Sequence, residues 1–412
     1  MSSTARSSPA LNGDQPPRKK MAIQCPEISI FCLPLDLILN IISRISKMYY
    51  PTLSLVSKKI RSVVDSPELY KTRSRLHRTE SCLYVCLRYH LDDSLDPNPY
   101  WFALCRKPNR TITDQSSGLL LIPITSPDVR HEPSSSVVAV GSNIYKMGGH
   151  TPSSSEVSVL DCRFNTWHSA PVMREKRSSP AASLVDGKIY VAGGCEDLNS
   201  VNCVEVFDPK TQTWGSVSNP GVKTQLHRAE LKSFGLGGKL YLLGGDEDTV
   251  YDPKEASWNP IGLGMHMAMG MAMGMEMYEA MDMEMDMNGV ASAVSYYHGV
   301  IGDVLFLWNE REFRWYDSKA SSWKKLYGVE DHLPDFDGDF KMVDVDGKMV
   351  VLWKVFGRRD KHMGERSIWC AEIALERRDG DEMWGNVEWF DVVLTTHEPC
   401  CLLDADVLSA TV

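Results

Sequence analysis

Residues 264–289 read GMHMAMGMAMGMEMYEAMDMEMDMNG and hold eleven of the chain's twenty methionines, most at alternate positions. Thioethers at that density can ligate a soft ion such as Cu(I), or offer an adaptable surface to apolar partners. The filler is mostly Gly, Ala, Glu and Asp, the pattern of low-complexity expansion. Five carboxylates between Glu276 and Asp286 make the stretch too polar for a bilayer span. It reads foremost as a passenger insertion. The eleven cysteines are irregularly spaced with no CxxC, and the eleven histidines form no HExxH. No metal site and no cofactor is therefore expected. No nucleophile motif or phosphate loop occurs either, so the chain reads as non-catalytic. What remains is charge. SAPVMREKRSSP carries Arg174, Lys176 and Arg177; a later stretch carries Lys223, His227 and Arg228; GRRDKHMGER carries Arg358, Arg359, Lys361 and Arg366. Guanidinium groups gathered this way suit an acidic or phosphorylated protein segment. Arg174, Arg177, Arg228, Arg358 and Arg359 are the candidate residues of such a face.

The whole chain of 412 residues has a net charge of −10, which argues against nucleic acid as a partner. No apolar run is long enough for a membrane span. The opening MSSTARSSPALNGDQPPRKK lacks the apolar core of a secretory signal, and residues 1–26 read as a disordered tail. Reduced thiols and a cytoplasmic or nuclear location follow as expectations.

The elements that position the basic stretches are set by a repeat. Asp161, Asp208, Asp252 and Asp317 each precede a tryptophan by six positions: Trp167, Trp214, Trp258 and Trp323. Each Asp follows apolar or aromatic residues, as at a strand end, and opens a polar turn. Upstream lie Gly148-Gly149, Gly193-Gly194 and Gly244-Gly245, each closing a hairpin with a tight turn such as Asp186-Gly187 or Gly237-Gly238. The unit is four antiparallel strands. One such sheet has two apolar faces, so several must stack radially, giving a mainly β propeller. Clear units cover 134–170, 181–217 and 229–261. A fifth, 291–326, has Leu307-Trp308 in place of the glycines, and a sixth, 340–394, is degenerate. Strands at 83–89, 100–105 and 118–124 lack a fourth member, which CLLDADVLSA near the end supplies. Six blades latched by the last strand are predicted over 82–409, with the methionine stretch (262–289) inserted between blades four and five. In such a meander the connections 2–3 and 4–1 leave at one end, and the basic stretches lie on them.

Before the strands, residues 27–75 have helical periodicity. Pro34 opens LPLDLILNIISRI, where Leu37, Ile38, Ile41, Ile42 and Ile45 form one stripe. A second helix is predicted over Thr52–Val64 with Leu53, Val56, Ile60 and Val63 on one face, and a third from Ser66-Pro67-Glu68. So small an α module is marginal unless a partner or the rest of the chain covers it.

The run LPLDLILNIISRI…LSLVSKKIRSVVDSPELY resembles the F-box, and the repeats resemble the kelch family. Together they resemble plant-type F-box/kelch-repeat proteins. The resemblance implies docking to a Skp-type adaptor and, through it, to a cullin scaffold in an SCF ubiquitin ligase, with the propeller binding an unknown protein substrate. Carried onto this sequence it points to Leu33, Pro34, Ile41, Leu55 and Val56 as adaptor contacts. Ser46 stands where many members carry Pro and Ile60 where many carry Trp, both read as interface positions. A stand-alone kelch scaffold and a kelch-type propeller enzyme are the other readings. The Glu-x3-Asp-x3-His spacing of iron-dependent propeller enzymes is absent.

Overall fold

The computed structural model describes residues 30–89, 98–107, 116–124, 136–149, 153–195, 203–217, 231–243, 248–261, 297–308, 312–330, 333, 340–356, 366–378, 381–396 and 400–412. The tail 1–26 and the methionine stretch 262–289 lie outside them.

Four helices come first: α1 (Leu35–Ile42), α2 (Tyr50–Ser54), α3 (Lys58–Val64) and α4 (Pro67–Arg75). The helix expected over 52–64 is two. Ser57 takes extended backbone and its hydroxyl accepts the Ile60 N–H at 3.1 Å, which starts α3 afresh. Ser66 caps α4 in the same way, with Pro67 in the first turn. Ile38, Leu39, Ile42, Tyr50, Ile60, Val64, Leu69 and Tyr70 make the core of this module. The single stripe read on α1 divides. Ile38 and Ile42 turn inward, whereas Leu37 and Ile41 are exposed. Ile45 lies past the helix end.

The strands are β1 (Ser81–Tyr89), β2 (Asn98–Arg106), β3 (Leu119–Pro123), β4 (Ser136–Val140), β5 (Asn143–Met147), β6 (Val157–Asp161), β7 (Thr166–Ala170), β8 (Ala181–Val185), β9 (Lys188–Ala192), β10 (Val204–Asp208), β11 (Thr213–Ser216) and β12 (Lys232–Leu236). They continue as β13 (Lys239–Leu243), β14 (Thr249–Asp252), β15 (Ser257–Pro260), β16 (Tyr297–Ile301), β17 (Val304–Trp308), β18 (Phe313–Asp317), β19 (Ser322–Tyr327), β20 (Phe340–Val345), β21 (Lys348–Phe356), β22 (Arg366–Arg378), β23 (Glu382–Thr396) and β24 (Cys400–Thr411). Blades two to six are the successive meanders β4–β7, β8–β11, β12–β15, β16–β19 and β20–β23. Blade one is composite, with order β24-β1-β2-β3. The last strand pairs antiparallel with β1 from Ser81↔Thr411 to Tyr89↔Cys400. The innermost strands β24, β4, β8, β12, β16 and β20 touch in succession, and β20 meets β24 again. The ring therefore has six blades, the first closed by β24.

The register explains the Asp-to-Trp spacing. The residue before each Asp faces the Trp across the hairpin: Leu160↔Trp167, Phe207↔Trp214, Tyr251↔Trp258 and Tyr316↔Trp323. Phe207 and Trp214 rings pack at 4.9 Å, Tyr251 and Trp258 at 4.8 Å. Each Asp Oδ1 accepts the main-chain N–H two residues on, at 2.9 Å from Arg163, Lys210, Lys254 and Lys319. The turn then closes through a positive φ at Asn165, Gln212, Ala256 and Ser321. Lys324 and the Ala320 and Lys319 N–H groups hold the Asp317 carboxyl down to about 2. A group held this low stabilises the fold above its unfolded value near 4 and loses that contribution as pH falls through its folded value. Acid titration followed by tryptophan fluorescence is expected to show wild type losing stability between about pH 4 and 2, with a shallower slope for Asp317→Asn.

Gly194 (φ +70°) needs its hydrogen: an added Cβ would stand 2.3 Å from the Ser178 carbonyl oxygen of the neighbouring connection. Gly148 is similarly crowded by the Pro180 ring at 2.9 Å. Gly149 donates to the Arg177 carbonyl (3.2 Å) and Gly193 accepts from the Arg177 side chain. Gly244 and Gly245 lie outside the described residues. In blade five Trp308 takes the glycine place, packs tilted against Phe313 (4.6 Å) and stacks on Phe340 of blade six (5.8 Å). Blade six departs further from the repeat. Its long β22–β23 hairpin reaches the edge of blade five, where β19 and β23 pair in parallel at Leu326↔Met383 and Tyr327↔Trp384.

Candidate functional site

The helices sit on the end of the ring that carries the 1–2 and 3–4 turns, over blades one and two. Tyr70 of α4 meets Phe164 of the β6–β7 turn edge-on at 5.2 Å. Arg73, 2% exposed, fastens the seat. Its guanidinium donates to the Ile45 carbonyl (2.8 Å), the Ser43 carbonyl (3.2 Å), the Tyr50 hydroxyl (3.0 Å) and Glu80 Oε1 (2.7 Å). Glu80 also accepts the Lys47 main-chain N–H. Its own N–H and carbonyl pair with Val412, each at 2.9 Å. Glu80 thus joins the helical module through its carboxylate and the strand that closes the ring through its main chain. No spacing rule marked Arg73 or Glu80; the only trace was an Arg on the inward face of α4.

The other side of the module is apolar and uncovered. Leu55 and Val56, at the break between α2 and α3, are 72% and 66% exposed. Leu33 and Ile41 are 39% and 42% exposed, and Pro34 is exposed beside them. Leu35 and Leu37, which the resemblance did not point to as contacts, join them. Leucines so exposed on a small module signal a surface that a partner covers. Ser46 caps the short turn Lys47–Tyr49 by accepting from the Met48 N–H. Ile60 is a correction: it packs inside the helical core instead of at an interface.

The opposite end of the ring carries the 2–3 and 4–1 connections. Arg174 is exposed there, yet its guanidinium is held by Ser216 Oγ and the Trp214 carbonyl, both at 2.8 Å. Arg177 is not on this face. It is fully buried and pairs with Glu205, equally buried, at 2.9 Å. Its backbone bridges to Ser154 and Cys195, which pins it between blades two and three. Its side chain also reaches the Gly193 and Cys203 carbonyls (2.6 and 3.1 Å). The reason is Glu205: a carboxylate inside the strand CVEVFD requires a cation, and Arg177 is the cation the loop delivers. The Arg174 and Glu175 N–H groups complete its shell at 2.8 and 3.2 Å. Arg228, Arg358 and Arg359 lie outside the described residues, as do Lys223, His227 and Lys361.

Among the described residues no group of three or more His, Cys, Asp or Glu side chains could hold a metal, and no helix is long and apolar enough to cross a membrane. Eight described cysteines are free thiols, all but Cys32 buried.

Comparison with known proteins agrees with this geometry. Residues 30–72 match the F-box domain model and residues 101–394 the FKB95, Kelch-repeats domain model. F-box/kelch-repeat protein At4g39590 of Arabidopsis thaliana is 46% identical over 439 aligned positions, covering 100% of this chain and 99% of that protein. Putative F-box/kelch-repeat protein At1g61540 of the same plant is 47% identical, covering 98% of this chain and 100% of that protein. The helices with their uncovered leucines, the six-bladed ring behind them and these full-length matches agree: the chain belongs to the F-box/kelch-repeat family.

Proposed function

We propose that this protein is the substrate-recruiting subunit of an SCF-type ubiquitin ligase. The helical module docks to a Skp-type adaptor and through it to a cullin, and the far end of the ring binds the target protein. Ubiquitin transfer is then the work of other subunits, and this chain contributes position instead of chemistry. The observation that carries the reading is the placement of Leu33, Pro34, Ile41, Leu55 and Val56. They are exposed apolar residues on the side of the module turned from its own core, while the 4–1 connections lie at the opposite end of the ring. A partner on the helices leaves that end open for a target. The cytoplasm or nucleus is the compartment this role implies.

Co-expression with a Skp-type adaptor and gel filtration tests it. Wild type is expected to co-elute, and Leu33→Ala/Pro34→Ala to elute alone. Leu55→Asp/Val56→Asp is the sharper variant, because both side chains are mostly solvent-exposed and their change leaves the core untouched. It should melt as wild type yet lose the adaptor. A folded wild type that does not co-elute makes the chain a stand-alone kelch scaffold.

A further inference from the structure

The helices do not close fully over the ring. Between them and blades one and two lies a cavity of about 150 Å³. A space of that size takes a single six-membered ring. Its walls include Met48, Pro51, Tyr70, Leu104 and Phe164. Into this setting Lys47 brings one ammonium group. It donates to the Tyr84 hydroxyl (2.9 Å) and to the Cys162 carbonyl. Both acceptors are neutral. An ammonium has three N–H donors; among the described residues no third acceptor bonds this one and no carboxylate pairs with it, the Asp161 charge acting on it only from beyond ion-pair distance. The nearby carboxylate, Glu80, is engaged by Arg73, and Lys47 reaches it only through its main-chain N–H.

We infer that this cavity binds a small aromatic carboxylic acid, its ring against the aromatic and aliphatic walls and its carboxylate on the Lys47 ammonium. Size and wall chemistry select one ring, and the cation with no carboxylate paired to it selects an acid over a neutral ring. Burial pulls the Lys47 ammonium below its usual range, so an incoming carboxylate restores the favoured charged form. Cys82 and Cys105 share the cavity wall, and burial pushes their thiols up to about 12 and 11. They stay neutral and do not repel an anion. Arg163, also at the wall, is committed to Asp161 at 2.6 Å, and the wall's own carboxylate, Asp65, is solvent-exposed, which leaves Lys47 as the anion's partner. A ligand here touches helices and ring together, so its binding stiffens the joint between them. This holds independently of what the exposed leucines dock.

The test is calorimetric titration of the full chain with benzoate, phenylacetate and the neutral benzamide, beside thermal melts. At least one of the acids is expected to bind saturably and raise the melting temperature, and benzamide to bind at least tenfold more weakly. Lys47→Met should weaken acid binding by about ten- to a hundredfold, the worth of one charge-assisted hydrogen bond. Ala103→Leu adds carbons to the cavity wall without touching the ammonium and should also block the site, which keeps the test open if Lys47→Met does not fold. No saturable binding of either acid, equal binding of benzamide, or undiminished binding to whichever variant folds overturns the inference.

Discussion

Arg177→Ala is expected to destabilise the ring by about 3–5 kcal/mol, the cost of leaving one member of a buried ion pair without the other. Glu205 is fully buried, and without the guanidinium it keeps only the Arg174 and Glu175 N–H groups as donors. A urea titration followed by tryptophan fluorescence reads the effect as a lower midpoint. Glu205→Gln removes the charge and keeps an oxygen for only one of the two N–H groups, which sit on different carboxylate oxygens, so it too should lose several kcal/mol. The double variant Arg177→Ala/Glu205→Gln should cost less than the two singles added, by about 0.5–3 kcal/mol of coupling. Strict additivity would mean that the two groups do not act as a pair. Partner capture is a second readout. Because Arg177 lies inside the ring, a binding defect in Arg177→Ala should track its loss of stability.

Removing residues 400–412 should have the largest effect of any change considered. Blade one would lose its innermost strand, β1 its inner partner, and β20 and β4 the neighbour between them. The expected result is a chain without a cooperative melt, with β1 left as an apolar open edge prone to association. A melt unchanged from wild type would show that β24 does not close the ring. Ala410→Asp is the point-substitution form of the test. Ala410 is completely buried against the interface of blades one and two, so a carboxylate there should cost about 3–5 kcal/mol.

How much of this was legible in the sequence differs by element. The Asp-to-Trp spacing was, because a hairpin fixes it: a strand end, a four-residue turn and a cross-strand partner leave no freedom in the count. The missing fourth strand of blade one was legible by the same arithmetic. The left-handed residues of those turns were not, since Asn165, Gln212, Ala256 and Ser321 share no side-chain type. The inward course of Arg177 was hidden in a loop that reads as uniformly basic, although Glu205 between two valines held the clue. The break between α2 and α3 was overrun by periodicity: Leu53, Val56 and Ile60 fit one helix on paper, and the Ser57 cap decides otherwise. Periodicity also cannot say which side of an apolar helix is covered. Leu37 and Ile41 look like core residues by spacing alone, and it was the resemblance to a docking module that assigned Ile41 outward. The parallel joint between β19 and β23 leaves no local trace, because its partners are far apart in the chain.

The closure of blade one by the last of the described strands also sets a clock on biosynthesis. β1 leaves the ribosome early and waits for its inner partner through the synthesis of five other blades. At about 5–20 residues per second that delay is roughly a quarter of a minute to a minute. Glu80, on which Arg73 anchors the helices, pairs with Val412, so the helices gain their final seat only when the ring does. A nascent chain can therefore display its leucines before it can hold them in a fixed orientation. A chain that stops short would carry the docking helices on an unfinished platform, and chaperones would see the open seam first.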